Sequence, residues 1–161
     1  MKTLILYESV YGNTEKIAQA IGNALGPQED VRVLRASDAR PDQFTGLSCL
    51  IVGAPTQRFR TTEGMSNLLK ALPANSLKGV KVAAFDTRLT VAEINKTAVL
   101  AFFVKLFGSH AYAARFITDQ LKKKGGKVAG SPEGFYVEGM KGPLVEGELD
   151  RAVNWARKIA A

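Results

Sequence analysis

Leu4-Ile5-Leu6-Tyr7-Glu8-Ser9-Val10-Tyr11-Gly12-Asn13-Thr14-Glu15-Lys16-Ile17-Ala18 is the stretch whose reading decides the fold. An apolar strand runs into a short hydroxyl-rich loop, and the loop runs into an amphipathic helix. Such a junction aims the unpaired N–H groups of a helix N-terminus, with their partial positive charge, at whatever lies above the strand end. The candidate ligand-holding residues are Ser9, Val10, Tyr11, Gly12, Asn13 and Thr14. Ser9 and Thr14 bring hydroxyl donors, and Gly12 lets the backbone come close. The natural occupant is a phosphate. No Gly-Lys-Ser/Thr follows, so nothing here reaches a terminal phosphate or a magnesium ion. No Gly-x-Gly-x-x-Gly is present, which argues against a pyrophosphate. One phosphate held by dipoles and hydroxyls, without Arg or Lys, implies a mononucleotide.

Leu6, Tyr7, Ser9, Gly12, Thr14, Ala18 and Ile21 stand in the order of a known phosphate-loop pattern: an apolar residue, an aromatic, Ser/Thr, a small residue, Thr, Ala and an aliphatic. On these residues the chain resembles the flavodoxin family. The resemblance implies a three-layer α/β/α sandwich with a five-stranded parallel sheet in the order 2-1-3-4-5. It implies FMN as cofactor and electron transfer as function. Flavodoxins are themselves an example of the rule that ligands sit over the C-terminal strand ends where the strand order reverses. The loops after the first, third and fourth strands are therefore the ones to read.

Apolar runs alternate with helical periodicity along the chain, which independently argues for an α/β fold with a parallel sheet. Strands are expected at Thr3 to Tyr7, Val31 to Leu34, Cys49 to Val52 and Val80 to Phe85. A fifth is expected to be split around Val128 and Phe135 to Val137. Helices are expected after the first loop, over Glu63 to Leu72, over Ser109 to Lys124 and over Glu148 to Ile159. The last of these should turn Leu149, Ala152, Val153, Ala156 and Ile159 inward, with Trp155 beside that stripe.

The loop after the third strand is Gly53-Ala54-Pro55-Thr56-Gln57-Arg58-Phe59-Arg60-Thr61. By resemblance to flavodoxins and FMN-dependent quinone reductases, Pro55, Thr56, Gln57, Arg58 and Phe59 flank the flavin. Thr56 and Gln57 then serve its polar edge, and Phe59 either lies on its face or anchors the following helix. The segment after the fourth strand, Asp86-Thr87-Arg88-Leu89, faces the pyrimidine edge on the same reading. Thr87 is a donor there, and Asp86 is either a contact or a brace. Arg58, Arg60 and Arg88 either raise the flavin potential by placing positive charge near the ring or point into solvent. Pro132-Glu133-Gly134-Phe135-Tyr136-Val137-Glu138-Gly139 also resembles flavodoxin-domain proteins.

Val91 to Phe107 departs from the family pattern. Ala98-Val99-Leu100-Ala101-Phe102-Phe103-Val104-Lys105-Leu106-Phe107 forms an extra helical segment after strand four. It is either an additional core-packed helix or a lid, a homodimer face, or a docking surface for a hydrophobic acceptor such as a quinone or for a membrane. His110 after it reads as structural rather than as a proton donor.

The 161 residues fit one domain with a real core, and 46% of them are apolar, which argues against disorder. The single Cys49 lies in an apolar run and reads as a buried, inert thiol. With one Cys and one His there is no metal-ligand cluster. The apolar run at Thr3 to Tyr7 is too short for a signal-peptide core, so a cytoplasmic protein is expected. The net charge of +7, from 22 basic and 15 acidic residues, departs from the acidic flavodoxins and favours an acidic partner, an anionic substrate or an anionic membrane surface. Nucleic acid is not favoured, because no aromatic interleaving accompanies the Lys122 to Lys124 cluster. A response regulator needs acidic residues ending strands one and three, but Gly53-Ala54 ends the third. A low-molecular-weight phosphatase needs a Cys opening the first loop. Two functions remain: an FMN electron carrier working with a redox partner protein, and an FMN oxidoreductase acting on a quinone or protoporphyrinogen.

Overall fold

β1 (Thr3–Tyr7) is buried along its whole length and runs through the sheet of the computed structural model, which describes residues 2–28 and 30–161. It pairs in parallel with β2 (Val31–Arg35) on one side and β3 (Cys49–Pro55) on the other. β4 (Lys81–Leu89) follows β3, and β5 (Lys127–Val128) and β6 (Glu133–Val137) both pair with β4. The expected order holds, with the fifth position shared by two short strands. The break between them contains Pro132, which offers no N–H to the ladder.

Each sheet face is covered by helices. α1 (Asn13–Leu25) and α6 (Glu148–Ala160) lie on one face, where Ile17, Ile21, Ala152 and Ile159 meet Ile5, Ile51 and Phe85. α2 (Glu63–Ala71) and α5 (Ala113–Lys123) lie on the other, where Met65, Leu69, Ile117 and Leu121 meet Leu4, Leu50 and Val82. Cys49 is buried, and burial pushes its thiol up to about 11, consistent with an inert role. Among the described residues no helix is long and apolar enough to cross a membrane.

Three expectations are corrected. α6 does not turn Leu149 inward; Leu149 is exposed while Trp155 is buried. The reason is aromatic packing: Trp155 makes edge-to-face contacts with Phe85 and Phe135, at centroid distances of 6.1 and 6.1 Å, which rotates the helix. Secondly, Asp86, Thr87 and Arg88 are not in a loop. They continue β4, because β6 pairs with Phe85 through Leu89 and satisfies the backbone there. Lastly, the extra segment is not core-packed. It forms α3 (Val91–Asn95), anchored by buried Ile94, and α4 (Ala98–Phe107), which has no buried residue.

Candidate functional site

The C-terminal ends of β1, β3 and β4 open into a cavity of about 1170 Å³. At its inner end stands the start of α1. No side chain caps this helix, and Gly12 enters it at φ 92 in the left-handed region that favours glycine. A Cβ on Gly12 would meet nothing within 4 Å, so the backbone faces open space. The Ser9 Oγ accepts from the Gly12 N–H at 3.0 Å, closing the loop on itself. That leaves the Ser9 hydroxyl proton free to donate outward. Thr14 is buried at the cavity wall, its Oγ1 2.8 Å from the Thr87 Oγ1. This hydrogen bond joins the start of α1 to the C-terminal end of β4.

The loop is braced from behind. Arg35 donates from Nη1 to the Ser9 carbonyl at 3.1 Å and from Nη2 to the Glu15 carboxylate at 3.2 Å. Its guanidinium stacks on Tyr7, whose hydroxyl donates to Glu15 at 3.0 Å. Burial, followed by that carboxylate, raises the Tyr7 pKa and keeps the phenol a donor. Asn13 donates from Nδ2 to the Lys141 carbonyl at 3.2 Å, which docks the turn after β6 beside the same helix start.

The second wall is the turn after β3. Gln57 and Arg60 exchange backbone hydrogen bonds of 2.9 and 3.0 Å around Arg58 and Phe59, both at positive φ (48 and 62). That is the mirror-image tight turn ordinarily built with Asn-Gly, and no sequence signal marked it. Phe59 does not anchor α2. It is half-buried and stacks on Phe103 of α4, with centroids 5.2 Å apart.

The expected residues divide into two groups. Ser9, Val10, Tyr11, Asn13, Thr14, Pro55, Thr56, Gln57, Arg58, Phe59, Thr87 and Arg88 all line the cavity. Gly12 and Asp86 do not: Gly12 has no side chain to present, and Asp86 is fully buried and works as a brace. Its carboxylate accepts from Arg88 at 2.6 and 2.8 Å and from the Ala114 N–H at 2.9 Å. Burial raises the Asp86 pKa against the opposing pull of Arg88. The Thr56 hydroxyl is similarly committed, accepting from the Ala113 N–H at 2.9 Å and bonding Asp86. Asp86 and Thr56 together tie the start of α5 to the sheet. Arg88 is held a second time, its guanidinium carbon 3.7 Å from the centroid of the Tyr112 ring. Of the three arginines considered for charge near the cavity, Arg88 is therefore already neutralised, while Arg58 and Arg60 are exposed.

Several lining residues escaped sequence reasoning. Glu63, Ser66, Asn67 and Lys70 face the cavity from α2. Their i, i+3, i+4, i+7 spacing, opposite buried Met65 and Leu69, was the available signal. Thr61 is the most informative. The residue lines the cavity, and its buried Oγ1 has no hydrogen-bond partner among the described residues. A buried hydroxyl without a partner costs about 1–3 kcal/mol; Thr3 and Ser76 carry the same feature away from the cavity, and Thr61 carries it in the cavity wall.

A family model for flavodoxins matches residues 5–155. The chain belongs to the flavodoxin family. A flavodoxin from Synechocystis sp. is 35% identical over 85 residues, a match covering 50% of this chain and 48% of that protein. The chain thus aligns with about half the length of this curated relative. Among solved structures, an archaeal flavodoxin superposes with a TM-score of 0.76 at 21% identity, covering 99% of this chain and 96% of that one. Oxidised flavodoxin 2 from Bacillus cereus gives 0.73 at 20% identity, covering 99% and 98%. These two show the same fold. Flavodoxins bind FMN, and FMN is accordingly the cofactor of this chain.

The residues present fit that cofactor. The uncapped α1 start and the free Ser9 proton suit a single phosphate, and the orphaned Thr61 hydroxyl suits a polar ligand atom. Arg35, which donates to the Ser9 carbonyl, is paired with Glu15 and is not among the residues lining the cavity.

Proposed function

We propose that this flavodoxin carries electrons between partners, with FMN held over the ends of β1, β3 and β4. The observation that carries the reading is the uncapped, hydroxyl-lined start of α1 at the inner end of a large cavity. In this reading Ser9, Thr14 and the first amides of α1 hold the phosphate. Asn13 keeps the Lys141 turn against that site, and Thr61 and Gln57 meet polar atoms farther out. Bound FMN supplies electron transfer in steps of one or two. The chain's own part is to orient it, shield it from water and set the local charge.

The test is direct. Purified protein is expected to show a flavin visible spectrum, and the released cofactor is expected to run as FMN on chromatography. Thr14→Val is expected to weaken FMN binding by about 1.5–3 kcal/mol, roughly 10- to 100-fold, through loss of a hydrogen bond to a charged group. Recovery of FAD, or an unchanged affinity in this variant, sinks the assignment.

The exposed arginines set a second expectation. Arg58→Ala or Arg60→Ala is expected to lower the midpoint potential by about 30 mV, a tenfold change in a two-electron equilibrium. A positive charge near the ring favours its reduced, more negative form. Arg88 is excluded from this role because Asp86 already neutralises it. Potentials identical to wild type in both variants overturn it.

The partner is a redox protein on the first reading. One observation favours a second, in which the protein is an FMN oxidoreductase for a quinone or protoporphyrinogen: Leu100 of α4 lines the cavity, so an apolar acceptor has an apolar approach. Turnover of NAD(P)H with a soluble quinone separates the two.

A further inference from the structure

α4 is turned the wrong way for a helix of a water-soluble domain. Val99, Phe102, Phe103, Leu106 and Phe107 fall at i, i+3, i+4, i+7 and i+8, the spacing of a core-facing stripe. Here that stripe faces outward, and Val99, Phe102 and Leu106 are 62, 61 and 62% exposed. The helix packs chiefly on its sequence neighbours, α3 and the turn at Gly108–Ala111. It touches the cavity wall through the Phe103–Phe59 stack. Tyr11 and Met140, two further exposed apolar side chains, line that cavity. Exposed apolar surface is thus concentrated around one mouth of the molecule.

Charge decides what covers it. Lys105 is the one charged residue of α4, the flanking Lys96 and Arg115 are paired with Glu93 and Asp119, and the chain as a whole is +7. Arg58 and Arg60 stand exposed on the neighbouring turn. A second copy would bring the same positive charge to the interface. It would also find too little area: five half-exposed side chains present on the order of 500 Å², against ~800 Å² per partner in a standard stable interface. An apolar stripe flanked by the exposed cations Lys105, Arg58 and Arg60 matches the boundary between acyl chains and anionic headgroups.

We propose that the outward face of α4 is a docking surface for an anionic lipid bilayer, seated by Phe102, Leu106 and Phe107 with Lys105 at the headgroups. This would hold the mouth of the cofactor cavity against the membrane surface. The inference goes beyond electron carriage and stands whether or not FMN is bound.

The test is co-sedimentation with phosphatidylcholine vesicles, with and without one part in four of phosphatidylglycerol. Wild-type protein is expected to pellet with the anionic vesicles, and much less with the zwitterionic ones or at high salt. Phe102→Ser with Leu106→Ser is expected to lower the partition coefficient at least ~10-fold, and Lys105→Glu several-fold, more than the ~5-fold of one neutralised lysine. Both variants are expected to keep FMN content and melting temperature, because the altered side chains are exposed. If the double variant does not fold, Lys105→Glu and the salt series still decide. The proposal is overturned if wild type stays in the supernatant or if the folded variants bind like wild type. A concentration-dependent doubling of mass without vesicle binding also overturns it and assigns the face to a second copy.

Discussion

Asp86→Asn is expected to cost about 3–5 kcal/mol of stability, the range for breaking a buried ion pair by removing one partner. Asp86 is fully buried in β4, and its partner Arg88 sits two residues on, on the same side of the strand. Two Arg88 N–H groups and the Ala114 amide converge on the carboxylate. Asparagine has nearly the same shape but offers one acceptor oxygen and turns an NH2 toward donors. The Arg88 charge, 17% exposed at its side chain, is left unpaired against Tyr112. Urea denaturation measures the loss. Adding Arg88→Met is expected to restore most of it, because the surviving buried charge, rather than the missing contact, dominates the cost. A pH series sharpens the result. Burial raises the Asp86 pKa in the folded state above its unfolded value. The folded protein therefore takes up the proton first as pH falls. The advantage of wild type over Asp86→Asn is expected to grow on acidification from that raised value toward the ordinary aspartate range. A shrinking advantage would mean that the pair lowers the pKa instead. A variant within ~1 kcal/mol of wild type would show that the brace is dispensable.

This pair also explains where reading the sequence fell short. Asp86-Thr87-Arg88 is polar, and polar residues after an apolar run read as a loop. They are a strand because β6 pairs alongside and because Asp86 and Arg88, two apart, share a side and neutralise each other. The first loop was legible for the opposite reason. Its chemistry is local: strand, hydroxyls, glycine and helix start are consecutive, and the residues read there as holding a phosphate lie at the observed helix N-terminus. Gly12, read there for its backbone, precedes the helix in the left-handed region. The turn at Arg58 and Phe59 was invisible, since neither residue favours positive φ. The stripe on α4 was legible as a pattern but not in direction. Periodicity reports that a helix has an apolar face; only the packing of its neighbours says whether that face meets the core. Thr61 had no signal at all, because an orphaned hydroxyl is defined by what surrounds it in space.

Gly53→Ala is expected to destabilise the protein by about 3 kcal/mol, the upper end of the usual overpacking cost. Gly53 lies in β3 between Tyr7 of β1 and Phe85 of β4 in the sheet register. The Phe85 ring lies across the place where a side chain would stand: a Cβ there would come 2.0–2.4 Å from three ring carbons. The ring has nowhere to go. It is fully buried and held edge-on by Phe135 at 5.9 Å and Trp155 at 6.1 Å, so moving it disturbs the contact between the sheet and α6. The strain also reaches the cofactor cradle. The Glu8 N–H donates to the Gly53 carbonyl at 3.0 Å, and Ser9 follows directly. A shift of β3 at this point displaces the loop read as the phosphate site, so weaker FMN binding is expected to accompany the loss of stability. Phe85→Leu alone opens a cavity and is destabilising in its own right. In combination the two changes offset each other, since the smaller side chain vacates the volume that the new methyl group needs. The double variant is therefore expected to be more stable than the sum of the single losses by more than ~0.5 kcal/mol, the limit within which independent sites add. Urea unfolding of the four proteins, with FMN titration of each, measures both effects. Simple additivity would show that the methyl group is accommodated by movement of β3 instead, and a Gly53→Ala variant as stable as wild type would remove the steric premise.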